Sequence, residues 1–173
     1  EQRFMKDFLP SSQYKNIFEP TTFLMLGGRG VGKTALFKLL NYSTARKQFY
    51  QQLNRNTFED FDKTYWLTGF GLKKPFPTSF VIEKTMTHCN SEQWRTFWIG
   101  LLTGAILASY PIQQYSLKLP SNVQDVLTNH LSRLSEWLPL VEQHLEEVSD
   151  FLDELDSLLV NEDEWIFISY DEL

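Results

Sequence analysis

Lysine and arginine are missing from the last forty residues of the chain. Residues 134–173 hold thirteen acidic side chains and no basic one, whereas residues 1–133 hold sixteen basic and nine acidic. The formal charge of −6 over 173 residues is therefore the sum of a body at +7 and an end at −13. That balance argues against a uniformly basic nucleic-acid surface, and the chain gives no direct sign of nucleic acid as a partner. A basic body carrying an acidic arm is what the charge describes. Cysteine is nearly absent: Cys89 stands alone, which excludes an internal disulfide and suits a reducing compartment, so a cytoplasmic location is expected. The chain opens without a basic-then-apolar leader, so secretion is not expected. Internal repeats and low-complexity linkers are lacking as well. With 42% hydrophobic and 15% aromatic residues, a disordered acidic tail, a disulfide-built miniprotein and a collagen-like chain are all excluded.

Long apolar runs are also scarce. The longest, Trp94 to Tyr110, is interrupted by Arg95 and by threonine and serine, and falls short of the ~18 apolar residues a membrane span needs. It predicts instead a core helix opened at Ser91 and stopped at Pro111, with Gly100 and Gly104 permitting close approach. Thr21–Leu26 is a short continuous apolar run ended by glycines, the pattern of a strand buried on both faces. From Lys33 the spacing turns helical, with Leu36, Leu39 and Leu40 on one face, and predicts a helix into the low fifties. Thr64–Phe70 and Ser79–Thr85 are rich in β-branched and aromatic residues and predict two strands. Ser121–Leu134 predicts an amphipathic helix with Val123, Val126, Leu127, Leu131 and Leu134 on its apolar face. The clearest period follows. Leu138, Val141, Leu145, Val148, Leu152, Leu155 and Leu159 are spaced 3-4-3-4-3-4, a seam of three heptads on a helix expected to start near Glu136 so that Pro139 falls in its first turn.

One segment carries chemistry directly. Gly27-Gly28-Arg29-Gly30-Val31-Gly32-Lys33-Thr34 fits the Gly-x-x-x-x-Gly-Lys-[Ser/Thr] phosphate loop, or Walker A pattern, between a predicted strand and a predicted helix. Glycines let the backbone curl so that successive N–H groups point at phosphate oxygens. The helix that follows turns its positive dipole end to the same anion. Lys33 supplies a positive charge for the β- and γ-phosphates, and the Thr34 hydroxyl is a hard oxygen ligand for Mg²⁺. At the other end, Trp165-Ile166-Phe167-Ile168-Ser169-Tyr170 is an apolar, β-prone run leading straight into Asp171-Glu172. This is the Walker B pattern: one carboxylate to hold Mg²⁺, a second to orient and deprotonate water.

Together the two segments resemble the P-loop ATPases with an additional strand and a catalytic glutamate, the division that includes AAA+ proteins and ABC-type and SMC-like ATPases. The Asp171-Glu172-Leu173 ending is similar to that of a group of predicted bacterial ATPases, and no narrower family is assigned. The resemblance rests on residues 26–34 and 166–172, roughly a tenth of the chain. It implies an α/β fold, a P-loop three-layer sandwich with a mostly parallel sheet. It also implies ATP and Mg²⁺ as ligands, Gly27 to Thr34 as the nucleotide loop, Thr34 and Asp171 as metal ligands, and Lys33 and Glu172 as catalytic residues. The motifs lie 137 residues apart, from Thr34 to Asp171, more than a minimal core needs, and the heptad helix fills much of the surplus. The expected plan is a lead-in over 1–20, a nucleotide-binding core over 21–120, a helical insertion over 121–160 and the second motif over 161–173. The whole is then expected to be the front part of a longer ATPase module.

Three functions fit these residues: ATP hydrolysis driving conformational change in a larger assembly, a nucleotide-binding regulatory or scaffold switch with little turnover, and a small-molecule phosphotransferase. Neither Asn-Lys-x-Asp nor Asp-x-x-Gly is present, which argues against guanine selectivity. His88, His130 and His144 are scattered and lack metal-ligand spacing. Lys73 and Lys74 flank Pro75 in an expected loop, and Tyr14, Ile17 and Phe18 precede the first strand either as core or as a seat for adenine. The acidic helices over 121–160 are expected to pack on their own domain, or to meet a protein partner or a second copy.

Overall fold

Apolar side chains gather into two separate cores, and the chain accordingly divides into two compact units, 1–66 and 67–173. The computed structural model describes residues 12–18, 32–53, 63–70, 75–112 and 115–170. The predicted strand over 21–26 lies outside them.

In the first unit a 3-10 helix (Ser12–Phe18) is followed by α1 (Lys33–Leu40) and α2 (Ser43–Gln52). The single helix expected from Lys33 into the fifties is thus two. The break comes where Asn41 turns back on α1: its N–H and its Nδ2 both donate to the Phe37 carbonyl, at 3.2 and 2.8 Å, and Tyr42 is extended. Ile17, Leu36, Leu39, Leu40, Ala45, Phe49 and Leu53 form the core, with Tyr14, Phe18 and Trp66 packed against it. Tyr14 and Phe18 meet Phe49 at ring-centroid distances of 6.0 and 5.9 Å, so of the three residues before the first expected strand Ile17 is buried in this core and Tyr14 and Phe18 pack against it.

β1 (Thr64–Phe70) spans the division after Trp66. The second unit continues with α3 (Ser79–Met86), α4 (Ser91–Ser109), α5 (Ser121–Asn129), α6 (Leu134–Gln143), α7 (Leu145–Glu162) and β2 (Trp165–Tyr170). β1 and β2 pair in a parallel two-stranded sheet, so α3 to α7 form the crossover that parallel pairing requires. The chain is therefore α/β, and among the described residues the sheet has these two strands.

Ser79–Thr85 is a helix, not the expected strand. Thr78 is its N-cap, with Oγ1 accepting from the Val81 N–H at 3.3 Å and its carbonyl accepting from Ile82 at 3.0 Å. Its apolar contacts come from Val81, Ile82 and Met86, a helical spacing that outweighs the β propensity of the same residues. α4 matches its expected span. It opens on a capping box in which Asn90 Oδ1 accepts from the Gln93 N–H at 2.9 Å and Gln93 Oε1 accepts from the Asn90 N–H at 3.1 Å. α5 stops at Asn129, five residues early, yet all five of its predicted apolar residues, Leu131 and Leu134 included, are buried.

The expected heptad helix is broken at His144, which ends α6 and begins α7. α6 starts at Leu134, so Pro139 lies beyond the first turn; the carbonyl it leaves without an intrahelical donor belongs to Ser135, an exposed residue. The seam is also displaced. Val141, Val148 and Leu155 are buried as expected, but Trp137 and Phe151 are buried in place of Leu138 and Leu152, which are half-exposed.

α4 runs through the centre of this core and packs against α5, α6 and α7. Gly100 and Gly104 make the approach possible: a Cβ on Gly100 would lie 2.5 Å from Trp137 Cζ3, and one on Gly104 2.5 Å from Leu131 Cδ1. Trp137 is fully buried, its Nε1 donating to the Leu131 carbonyl at 2.8 Å, so it has no room to give. Gly100→Ala, which would add about 1 kcal/mol to an exposed helix, is therefore expected to destabilise the second unit by about 1–3 kcal/mol through overpacking, read as a lower urea midpoint with an unchanged slope.

Candidate functional site

Of the phosphate-loop residues, Gly32, Lys33 and Thr34 are described; Gly27, Gly28, Arg29, Gly30 and Val31 lie outside the described residues, as do Asp171 and Glu172. Gly32 is the N-cap of α1 and takes the left-handed conformation, φ 87° and ψ 16°, which an L-residue adopts at a cost of roughly 1–2 kcal/mol. Its carbonyl accepts the first helical bond, from the Leu36 N–H at 2.9 Å. Lys33 is exposed and Thr34 half-buried. Gly32 has no side chain with which to cap the N–H groups of this first turn, and the turn carries no acidic residue. An eight-residue helix opening in this way brings backbone donors and a cationic residue together.

The helix is held from its other end by a residue the sequence reading passed over. Arg46 is buried, its Nη1 donates to the Leu40 carbonyl at 2.6 Å, and its guanidinium lies 5.9 Å from the Trp66 ring centroid. A cation on the last carbonyls of a helix complements the dipole. Burial pulls its pKa down to about 10. Its spacing was legible: Ala45, Arg46, Phe49, Tyr50 and Leu53 fall at helical intervals on the buried side of α2.

β2, the strand that runs into Asp171-Glu172 in sequence, is held at several points. The Ser169 hydroxyl donates to the Leu67 carbonyl on β1 at 3.1 Å. Gly69 on β1 leaves room for Ile168 and Tyr170: a Cβ there would lie 2.5 Å from Ile168 Cγ2. Tyr170 meets Trp98 of α4 edge-on, with ring centroids 6.0 Å apart. Just before the strand, Glu164 Oε2 accepts from the Tyr110 hydroxyl at 2.6 Å and from the Tyr115 hydroxyl at 3.3 Å, and the two rings stack at 6.3 Å. Burial, then the bonds to Glu164 and Tyr115, hold the Tyr110 phenol far above its ordinary pKa. Tyr110 and Glu164 are 54 residues apart, a pairing with no local sequence signal.

Among the described residues no group of histidine, cysteine and acidic side chains is arranged to hold a metal, and no helix is long and apolar enough to cross a membrane. Residues 1–65 match the ORC-CDC6-like family model. The match takes in the phosphate loop and points, coarsely, to a P-loop ATPase relative. No curated protein and no solved structure matches the chain.

Because folding keeps Tyr110 protonated, its contribution to stability is complete below its ordinary pKa of 10.0 and is lost as pH rises above it. The unfolded chain ionises first, so stability falls as pH rises through and above that value. Denaturant unfolding at about pH 9 and about pH 11 should show that loss in the wild type and a flatter dependence in Tyr110→Phe.

Proposed function

We propose that this chain binds Mg-ATP at the start of α1 and hydrolyses it, driving conformational change in a larger protein or assembly. The observation that carries the proposal is the opening of α1: a left-handed Gly32 at the N-cap, an exposed Lys33 and a first turn that carries no acidic residue. The family match over residues 1–65 supports the same assignment. In this reading β1 and β2 belong to the mostly parallel sheet of a P-loop sandwich. In it α5 to α7 are an insertion between the two motifs.

Backbone N–H groups from Gly27 to Thr34 bind the phosphates, and Lys33 offsets the charge of the β- and γ-phosphates. The residues fit a magnesium ion: Thr34 brings a hydroxyl in the first turn of α1, and Asp171 brings a hard carboxylate. When bound, the ion supplies charge neutralisation on the phosphate oxygens. Glu172 is the general base that orients a water and takes its proton.

Lys33→Ala is expected to abolish Mg-ATP binding, measured by titration calorimetry on the full chain. Binding as tight as wild type overturns the assignment. Glu172→Gln is expected to keep binding while phosphate release falls about 100-fold or more. A wild type that binds Mg-ATP yet releases no phosphate would favour the regulatory-switch alternative.

A further inference from the structure

α4 touches β2 at both of its ends. Trp98, within α4, meets Tyr170, the last residue of the strand. Tyr110, the C-cap of α4, grips Glu164, the residue before the strand. The order is reversed, so helix and strand run antiparallel over this stretch. The lengths agree: twelve helical residues from Trp98 to Tyr110 rise about 18 Å, and six extended residues from Glu164 to Tyr170 span about 20 Å.

The two contacts differ in kind. The Tyr110–Glu164 bond at 2.6 Å is short, charge-assisted and directional, and Tyr115 adds a second donor at 3.3 Å. The Trp98–Tyr170 contact is an edge-on aromatic pair at the surface, with Trp98 39% and Tyr170 37% exposed. The pair lies at the edge of the core, where Trp98 also meets the buried Phe97 edge-on at 5.1 Å. Its place at the last strand residue before Asp171 gives it a different consequence. On the ATPase reading the carboxylates that follow β2 in sequence serve a metal and a water, and such a strand has to be fixed along its axis, because a misplacement of about 1 Å can cost about 100-fold in rate.

We propose that Trp98 and Tyr110 are positioning residues: α4 sets the axial register of β2, the strand that leads in sequence to Asp171-Glu172. This rests on the ATPase reading above. It also makes α4 the element through which a change at the acidic pair reaches α5, α6 and α7, since all three pack on it.

The test uses the full chain with Trp98→Ala, Trp98→Phe and Tyr110→Phe, and measures kcat and Mg-ATP affinity together with hydrogen exchange of the backbone amides. In Trp98→Ala and Tyr110→Phe, kcat is expected to fall about tenfold or more with nucleotide affinity unchanged within about twofold. Faster exchange should be confined to 165–170 while α5 and α6 stay protected, and Trp98→Phe should restore the rate. Unchanged kcat in both variants overturns the proposal. So does a joint loss of affinity, rate and protection throughout the second unit, which is the signature of a merely structural role. A wild type without turnover counts against the ATPase reading instead. The exchange pattern then decides the register on its own, local loss over 165–170 upholding it and no change overturning it.

Discussion

The close approach of α4 to the turn between α5 and α6 is the contact on which the second unit depends. Leu131 and Trp137 close a small circuit there. The Leu131 side chain fills the space over Gly104, its carbonyl accepts the Trp137 indole N–H, and the Trp137 ring fills the space over Gly100, one helical turn away. Phe97 stacks on the same ring at 5.9 Å and 25°. Each member fixes another. Without the glycines the indole could not approach, and without the carbonyl its buried N–H would be left unsatisfied, a penalty of about 1–3 kcal/mol. Val141, Val148 and Phe151 belong to the same core, and α4, held in this way, carries Trp98, which meets Tyr170 of β2, and ends on Tyr110, which bonds Glu164.

How much of this was legible depends on which physics decides each segment. The span of α4 could be read to within a residue, because its start is a local capping box and its stop is Pro111. The role of its two glycines could be read too, since an i, i+4 glycine pair on an apolar helix has few other uses. Ser79–Thr85 was misread because propensity pointed to a strand while the deciding feature was one hydroxyl, that of Thr78, just outside the segment. The acidic helices were placed correctly on their own core, but their seam was misjudged by one residue at alternate positions. An apolar period in leucine and valine hid the fact that Trp137 and Phe151 offer more area to bury. Of the expected phosphate loop, Gly32 to Thr34 stand at a helix start, while Asp171 and Glu172 lie beyond the described residues. Arg46 and the Tyr110–Glu164 pair were missed for opposite reasons, one from neglect of a visible spacing and the other because a contact across 54 residues has none.

The crossover explains the long interval between the two motifs. Ninety-four residues separate Phe70 from Trp165, where parallel pairing asks for about a dozen or more. The excess is five helices with a core of their own. That core also explains how the chain sustains a stretch of charge −13. Glu146, Glu147, Asp150, Asp153, Glu154 and Asp156 on α7 are all exposed, and like charges three or four residues apart cost about 0.2–0.5 kcal/mol per pair. Two offsets are visible. Glu146 and Glu147 lie in the first turn, where the dipole favours them, and the His144 ring bonds Glu147 at 3.1 Å, holding that carboxyl below its ordinary pKa. The larger offset is the burial of Val148, Phe151 and Leu155 on the opposite face, worth about 1.5–3 kcal/mol per side chain. The acidic charge is therefore carried on the outer face of a helix that packing makes stable. Lys33 and the first turn of α1 belong to the other unit, with ten basic residues against six acidic, so the chain's net −6 is no measure of the charge an anion meets there.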